Sequence, residues 1–138
     1  MVSHIAWDDS YKVGHNMIDK QHQRLFELAD GLYNLVAAGE QGREHIQAVI
    51  KECAEYVSFH FASEEELMDE VCYSGMEAHV KAHRAFSDYV ASLMEEFTSG
   101  KEIDLGELYS FVANWLVQHI TVEDKKLAEQ VRILLYGG

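Results

Sequence analysis

The stretch "HFASEEELMDE", residues 60–70, places five acids, one histidine and four apolar side chains in eleven positions. Read as a helix at roughly 100° per residue, it separates into two faces. Ile46, Cys53, His60, Glu64 and Val71 fall in one narrow sector, flanked by Val49, Val57, Leu67 and Met68. Glu65, Glu66, Asp69 and Glu70 rotate away from it and read as a solvated face, the ordinary state of a charge run. Glu64 admits no such reading. A carboxylate in the middle of an apolar stripe is strongly disfavoured, or takes up a proton, unless a cation, a set of donors or a metal partners it.

Working outward, the same helical period recurs along the chain. Ile18, Leu25, Phe26, Ala29, Leu32, Tyr33 and Val36 make a stripe before this segment; Met76, Val80, Phe86, Val90, Leu93 and Phe97 make one after it. Leu105, Leu108, Val112, Trp115, Leu116 and Ile120 make a last one, opened by Asp104 at an N-cap position with Glu107 three residues later. The chain contains no proline, and its glycines fall mainly between these stripes. The spacing predicts helices over 19–38, 43–73, 76–99 and 105–126. Short glycine-containing turns between them make neighbouring helices antiparallel. The expected fold is all-α: an up-down-up-down four-helix bundle forming one domain over 1–138. An N-terminal leader packs on it through Ile5, Trp7 and Tyr11, and the tail adds a last helical turn.

Composition narrows the function. The 138 residues carry 24 acids against 11 bases, a formal charge of −13, which repels phosphate backbones and anionic bilayers. No nucleic-acid partner is expected. The first residues lack a basic segment leading into an apolar one, and no stretch approaches the roughly 18 apolar residues needed to cross a bilayer. A cytoplasmic protein without membrane insertion is therefore expected. Cys53 and Cys72, read as sharing one helix, would stand about 28 Å apart and cannot pair. Cys53 reads as core, Cys72 as an exposed thiol. Eight histidines remain to be explained.

Five of them lie where core should be. His22 follows Ile18 by four residues, His60 precedes Glu64 by four, and His79 and His83 stand four apart beside Met76, Val80 and Phe86. His119 follows Trp115 and Leu116 in the last stripe, and Asp124 comes five residues later, about half a turn short of two turns. Any one of these residues alone reads as a satisfied core histidine or a helix-surface pair. Together they would bury an implausible unpaired polar load unless they enclosed metal, as bundle cores do. Seven ligands exceed the need of one tetrahedral zinc, and no cysteine joins them. Two metals sharing two carboxylates fit better. Imidazole with carboxylate suits iron among redox-active metals, while zinc, manganese and cobalt could also bind. The Glu-x-x-His repeat of ferritin-like di-iron oxidases is missing around these positions. His4, His15 and His45 lie off the stripes and read as solvent or turn positions.

In this order and spacing, "IDKQHQRLF" (18–26), "HFASEE" (60–65), "HVKAHRAF" (79–86) and "WLVQHITVED" (115–124), with Trp7 and "VG" at 13–14, resemble the bacterial single-domain hemerythrins. The resemblance spans nearly the whole chain, loosening only after Asp124. It implies two non-heme irons with a bridging oxo or hydroxo group. His79, His83 and His119 would hold one iron, His22 and His60 the other, and Glu64 and Asp124 would bridge them. It further implies reversible dioxygen binding at the iron with fewer histidines, as an oxygen carrier or store without enzymatic activity. The alternatives are an oxygen or redox sensor signalling to a partner protein, and an enzyme acting on peroxide or nitric oxide. Leu116, Ile120, Phe61 and Trp115 are the expected lining of the oxygen pocket. Tyr33, Tyr56 and Tyr109 are the candidate donors to the bridging carboxylates. Oligomeric state is not legible.

Overall fold

The computed structural model describes residues 4–39 and 42–136; Gly137 and Gly138 of the tail lie outside them. The helices are α1 (Asn16–Ala38), α2 (Arg43–Glu70), α3 (Met76–Thr98) and α4 (Leu105–Gln118), followed by a π-helical segment (His119–Asp124) and α5 (Lys125–Tyr136). They form the expected up-down bundle, with α1 against α2 and α4, and α2 against α3. The fourth helix departs most from the periodicity. Expected to stop at 126 with one more turn in the tail, it instead runs through the π segment to Tyr136, because Leu127 and Val131 pack with Ile18 and Met68 and Ala128 is buried as well.

The other boundaries shift by a few residues. α1 starts at Asn16 rather than 19, since His15 Nδ1 accepts the amide hydrogen of Ile18 at 3.3 Å and caps the helix there. α2 ends at Glu70 rather than 73. Cys72 follows in the left-handed region at φ 51°, so it does not share a helix with Cys53, although it is exposed as expected. Asp104 caps α4 by accepting from the Glu107 amide at 3.0 Å. Asp104→Ala should lower the unfolding free energy by about 1 kcal/mol, read as a shift in the urea midpoint at constant slope.

The leader lies on the bundle. Trp7 meets Phe26 edge to face at 5.5 Å, Tyr11 packs on the same ring at 4.8 Å, and the Ile5 amide donates to the Tyr109 hydroxyl at 2.8 Å. The core falls into apolar clusters with a polar layer between them. One cluster gathers Phe61, Phe86, Leu108 and Tyr109; another gathers Ile18, Met68, Leu127 and Val131. Along α1, α2, α3 and the α4–α5 stretch, the histidines and carboxylates of the stripes come between positions belonging to different clusters. Flanking apolar contacts on both sides hold this polar layer away from water.

Candidate metal centre

His22, His60, Glu64, His79, His83, His119 and Asp124 are all buried, each at most 5% exposed. Their donor atoms form two groups. Glu64, His79, His83, His119 and Asp124 converge in one; His22, His60, Glu64 and Asp124 converge in the other. The two carboxylates belong to both. Glu64 Oε1 stands 3.0 Å from His79 Nε2 and 3.1 Å from His83 Nε2, while its Oε2 stands 3.0 Å from His60 Nε2 and 3.6 Å from His22 Nε2. Asp124 spans the groups as well, with Oδ1 3.0 Å from His79 and 3.2 Å from His119, and Oδ2 2.8 Å from His22.

Four of the seven reach the centre by plain four-residue spacing on α2 and α3. His119 and Asp124 do not. Five residues of regular α-helix would leave them on different faces, whereas in the π segment, where bonds run from i to i+5, residues five apart stack on one face. The wider turn thus brings both into the same donor group.

Proximity here is not satisfaction. His22 Nδ1 and Nε2, Glu64 Oε2, His79 Nδ1 and both Asp124 oxygens are buried without an aligned hydrogen-bond partner among the described residues. His22 Nε2 is close to Asp124 Oδ2 and still misaligned, and the Nε2 atoms of His79 and His119 face each other at 3.1 Å. Such buried groups ordinarily find partners. Lone pairs directed at common points rather than at one another are what a metal cation satisfies, so the donor set fits metal ions, with imidazole and carboxylate suited to iron.

The electrostatics agree. Burial alone would lower the His22 and His79 pKa values, but contacts with Asp124 and Glu64 outweigh it and raise both to about 9. Burial pushes the Glu64 carboxyl up, yet the close approach of His60, and of His22 and His79, holds it well below the usual range. Asp124 is raised by burial and by Glu64, and contacts with His119, His22 and His79 bring it down overall. At neutral pH the metal-free site therefore holds protons on His22 and His79 where cations would sit. Cation loading at pH 7 should release them, measured as a heat that varies with the ionisation enthalpy of the buffer.

The same shifts set the pH dependence of metal-free stability. A raised histidine stabilises fully below its ordinary value of 6.5, and that contribution disappears as pH rises through about 9. The lowered carboxylates stabilise above their ordinary values of 4.5 and 3.8 and lose this as pH falls. The metal-free protein should be most stable between about pH 4.5 and 6.5. It should lose up to about 3 kcal/mol for each of the two histidines by pH 9, seen as a falling urea midpoint.

Around the centre, some expectations are corrected. Glu65 does not simply face water: its Oε2 accepts from His83 Nδ1 at 3.0 Å, with the carboxylate 35% exposed. Gln21, which nothing in the stripe pattern singled out, is buried and accepts from His60 Nδ1 through Oε1 at 2.6 Å. Its signal in the sequence is only its place beside His22. Tyr33, Tyr56 and Tyr109 make no hydrogen bond to Glu64 or Asp124 among the described residues; Tyr109 serves Ile5, and Tyr33 stacks on His4 at 4.0 Å. Glu66, Asp69, Glu70 and His45 are exposed as expected.

An internal cavity of about 40 Å³ adjoins the centre, walled entirely by apolar and thiol side chains, among them Leu28, Cys53, Phe61, Trp115 and Leu116. Phe61 stacks on His83 at 3.8 Å, and Trp115 stacks on His119 at 4.3 Å, so two walls of the cavity are pressed against two of the converging histidines. Ile120 does not line it; that side chain is buried beside Leu25, Phe26 and Leu116. Burial pushes the Cys53 thiol up to about 12.

Known proteins share this arrangement of chain. A family model described as the hemerythrin HHE cation binding domain matches residues 13–131. A protein named Bacteriohemerythrin from Stenotrophomonas maltophilia is 36% identical over 128 residues, covering 93% of this chain and 82% of that protein. Another of that name from Pseudomonas aeruginosa is 34% identical over 133 residues, covering 95% and 84%. A crystal structure described as wild-type hemerythrin matches with a TM-score of 0.85 at 26% identity, over 92% of this chain and 97% of that one. Matched by the family model over most of its length and bearing a buried cluster able to hold metal, this chain belongs to the hemerythrin family.

Proposed function

We propose that the chain, as one domain over 1–138, binds dioxygen reversibly at a non-heme di-iron centre. His79, His83 and His119 would hold one iron and His22 and His60 the other, with Glu64 and Asp124 available to both. The observation that carries this reading is the pair of buried donor sets that share both carboxylates but differ in histidine count, three against two. The set with fewer protein donors leaves room for a small ligand. Iron held there would supply the electrons for reversible dioxygen binding.

The remaining work falls to the chain. Glu64 and Asp124 balance the metal charge in a site closed to water. Phe61, Trp115 and Leu116 border the cavity, which meets the centre at His83 and His119 and would serve as a way in rather than as the ligand position itself; it is large enough for a small molecule and lacks polar side chains to hold water there. A neutral diatomic enters such a space at little cost, whereas an anion must shed its hydration. Exclusion of water and anions slows irreversible oxidation, which a carrier needs in order to release oxygen repeatedly.

Reconstitution with ferrous iron under argon should give two irons per chain. Air should then produce a visible charge-transfer band that vanishes when oxygen is removed and returns on re-exposure. One iron or none in folded, carefully loaded protein would overturn the di-iron assignment. A band that never reverses, or steady peroxide consumption over many turnovers, would overturn the carrier reading in favour of an enzyme.

A further inference from the structure

Among the described residues, two of the five converging histidines have an outer nitrogen hydrogen-bonded to a side chain, and the two partners differ in charge. His83 Nδ1 donates to the Glu65 carboxylate at 3.0 Å. His60 Nδ1 donates to the Gln21 amide oxygen at 2.6 Å. The orientation of that amide follows from its other end. Ser63 Oγ donates to the Phe59 carbonyl at 3.0 Å, which leaves the hydroxyl oxygen to accept from Gln21 Nε2 at 3.3 Å and turns Oε1 toward His60. Both acceptors require a proton on Nδ1, so both rings turn Nε2 inward as the atom that would bind metal. His83 belongs to the three-histidine set and His60 to the two-histidine set.

An imidazole whose outer N–H points at a carboxylate is a stronger metal donor than one held by a neutral amide, because the anion stabilises the positive charge the ring gains on coordination. The three-histidine set therefore has one donor more and one reinforced by an anion; the two-histidine set has its ring oriented but not reinforced. From this we infer that Glu65 and Gln21 are positioning residues that make the two subsites unequal. The His79/His83/His119 subsite takes the first divalent cation, and the His22/His60 subsite fills second and more weakly. The inference rests on the two-metal reading of the site and adds to it an order of loading, set in part by side chains that never touch the metal. A weaker second subsite is also the one with fewer protein donors, so strength of metal binding is given up where an external ligand is to bind.

The test is a titration of the metal-free protein with cobalt(II) alone, followed by calorimetry and by the visible bands of the bound ion. Wild type should load in two resolved steps. Glu65→Gln should weaken the first step by about 10- to 100-fold, leave the second nearly unchanged and so draw the two together. Gln21→Glu should strengthen the second step and close the gap from the other side. In the metal-free protein, ¹⁵N shifts of the histidine rings should report a hydrogen-bonded proton on Nδ1 of His83 and of His60. Glu65→Gln should weaken the His83 hydrogen bond without altering the circular dichroism, a change that a merely structural role would not produce. Two equal steps in wild type, or Glu65→Gln indistinguishable from it, would overturn this inference while leaving the paired site intact. Failure of wild type to bind two cobalt ions would overturn the two-metal reading itself.

Discussion

Glu64→Ala is expected to abolish paired metal binding, dropping the loaded stoichiometry from two metals to one or none and eliminating the reversible visible band. Among the described residues only Glu64 and Asp124 belong to both donor sets, and the Glu64 carboxylate lies within 3.0–3.1 Å of His60, His79 and His83. Its removal deletes a ligand from each subsite and the negative charge that balances both. The histidines it leaves would share a single buried carboxylate and repel one another when protonated. Metal content by elemental analysis, alongside circular dichroism to confirm the fold, measures this. Glu66→Ala is the control, since Glu66 is exposed and two residues away; its metal content should match wild type. A Glu64→Ala protein that loads two metals and shows the wild-type spectrum would mean that the stripe does not supply the bridge.

Phe61→Ala should produce the largest loss of stability among single core truncations near the centre, about 3 to 5 kcal/mol. The ring is 5% exposed and sits at a junction: stacked on His83 at 3.8 Å, edge-on to Phe86 at 5.9 Å, tilted against Trp115 at 5.6 Å. It also walls the apolar cavity, which its removal would enlarge. Denaturation of the metal-free variant isolates the packing contribution from metal binding and should show a lower urea midpoint with little change in slope. In the iron-loaded protein the same change should admit water beside His83 and shorten the lifetime of the oxygenated form relative to wild type. A loss below about 1 kcal/mol would indicate that the neighbouring rings collapse into the space.

These residues mark how far the linear pattern reaches. His22, His60, Glu64, His79 and His83 are legible because regular α-helix repeats every 3.6 residues, and a polar side chain in register with an apolar stripe has nowhere to go but inward. Their burial follows from the sequence with no knowledge of which helix faces which. The bundle itself follows from four such stripes and the breaks between them. The leader's packing was legible too, in Ile5, Trp7 and Tyr11, as large apolar groups without a stripe of their own.

Other features depend on more than one helix. Asp124 stands five residues from His119, a spacing that regular helix cannot put on one face; a π turn does so, and its loss of regular hydrogen bonding is sustained by packing on both sides, with Ile120 and Leu127 buried. Glu65 and Gln21 sit at the margins of their stripes, where a turn of a few tens of degrees separates solvent from the ring of a histidine on another helix, and periodicity is too coarse to decide between them. Cys72 passes from expected helix into a left-handed turn for a similarly local reason. What the sequence by itself determined is which side chains are forced inward, because burial along one helix is a matter of period. What only the tertiary structure decided is which of them meet and what stands behind them, because those contacts form between segments that share no period.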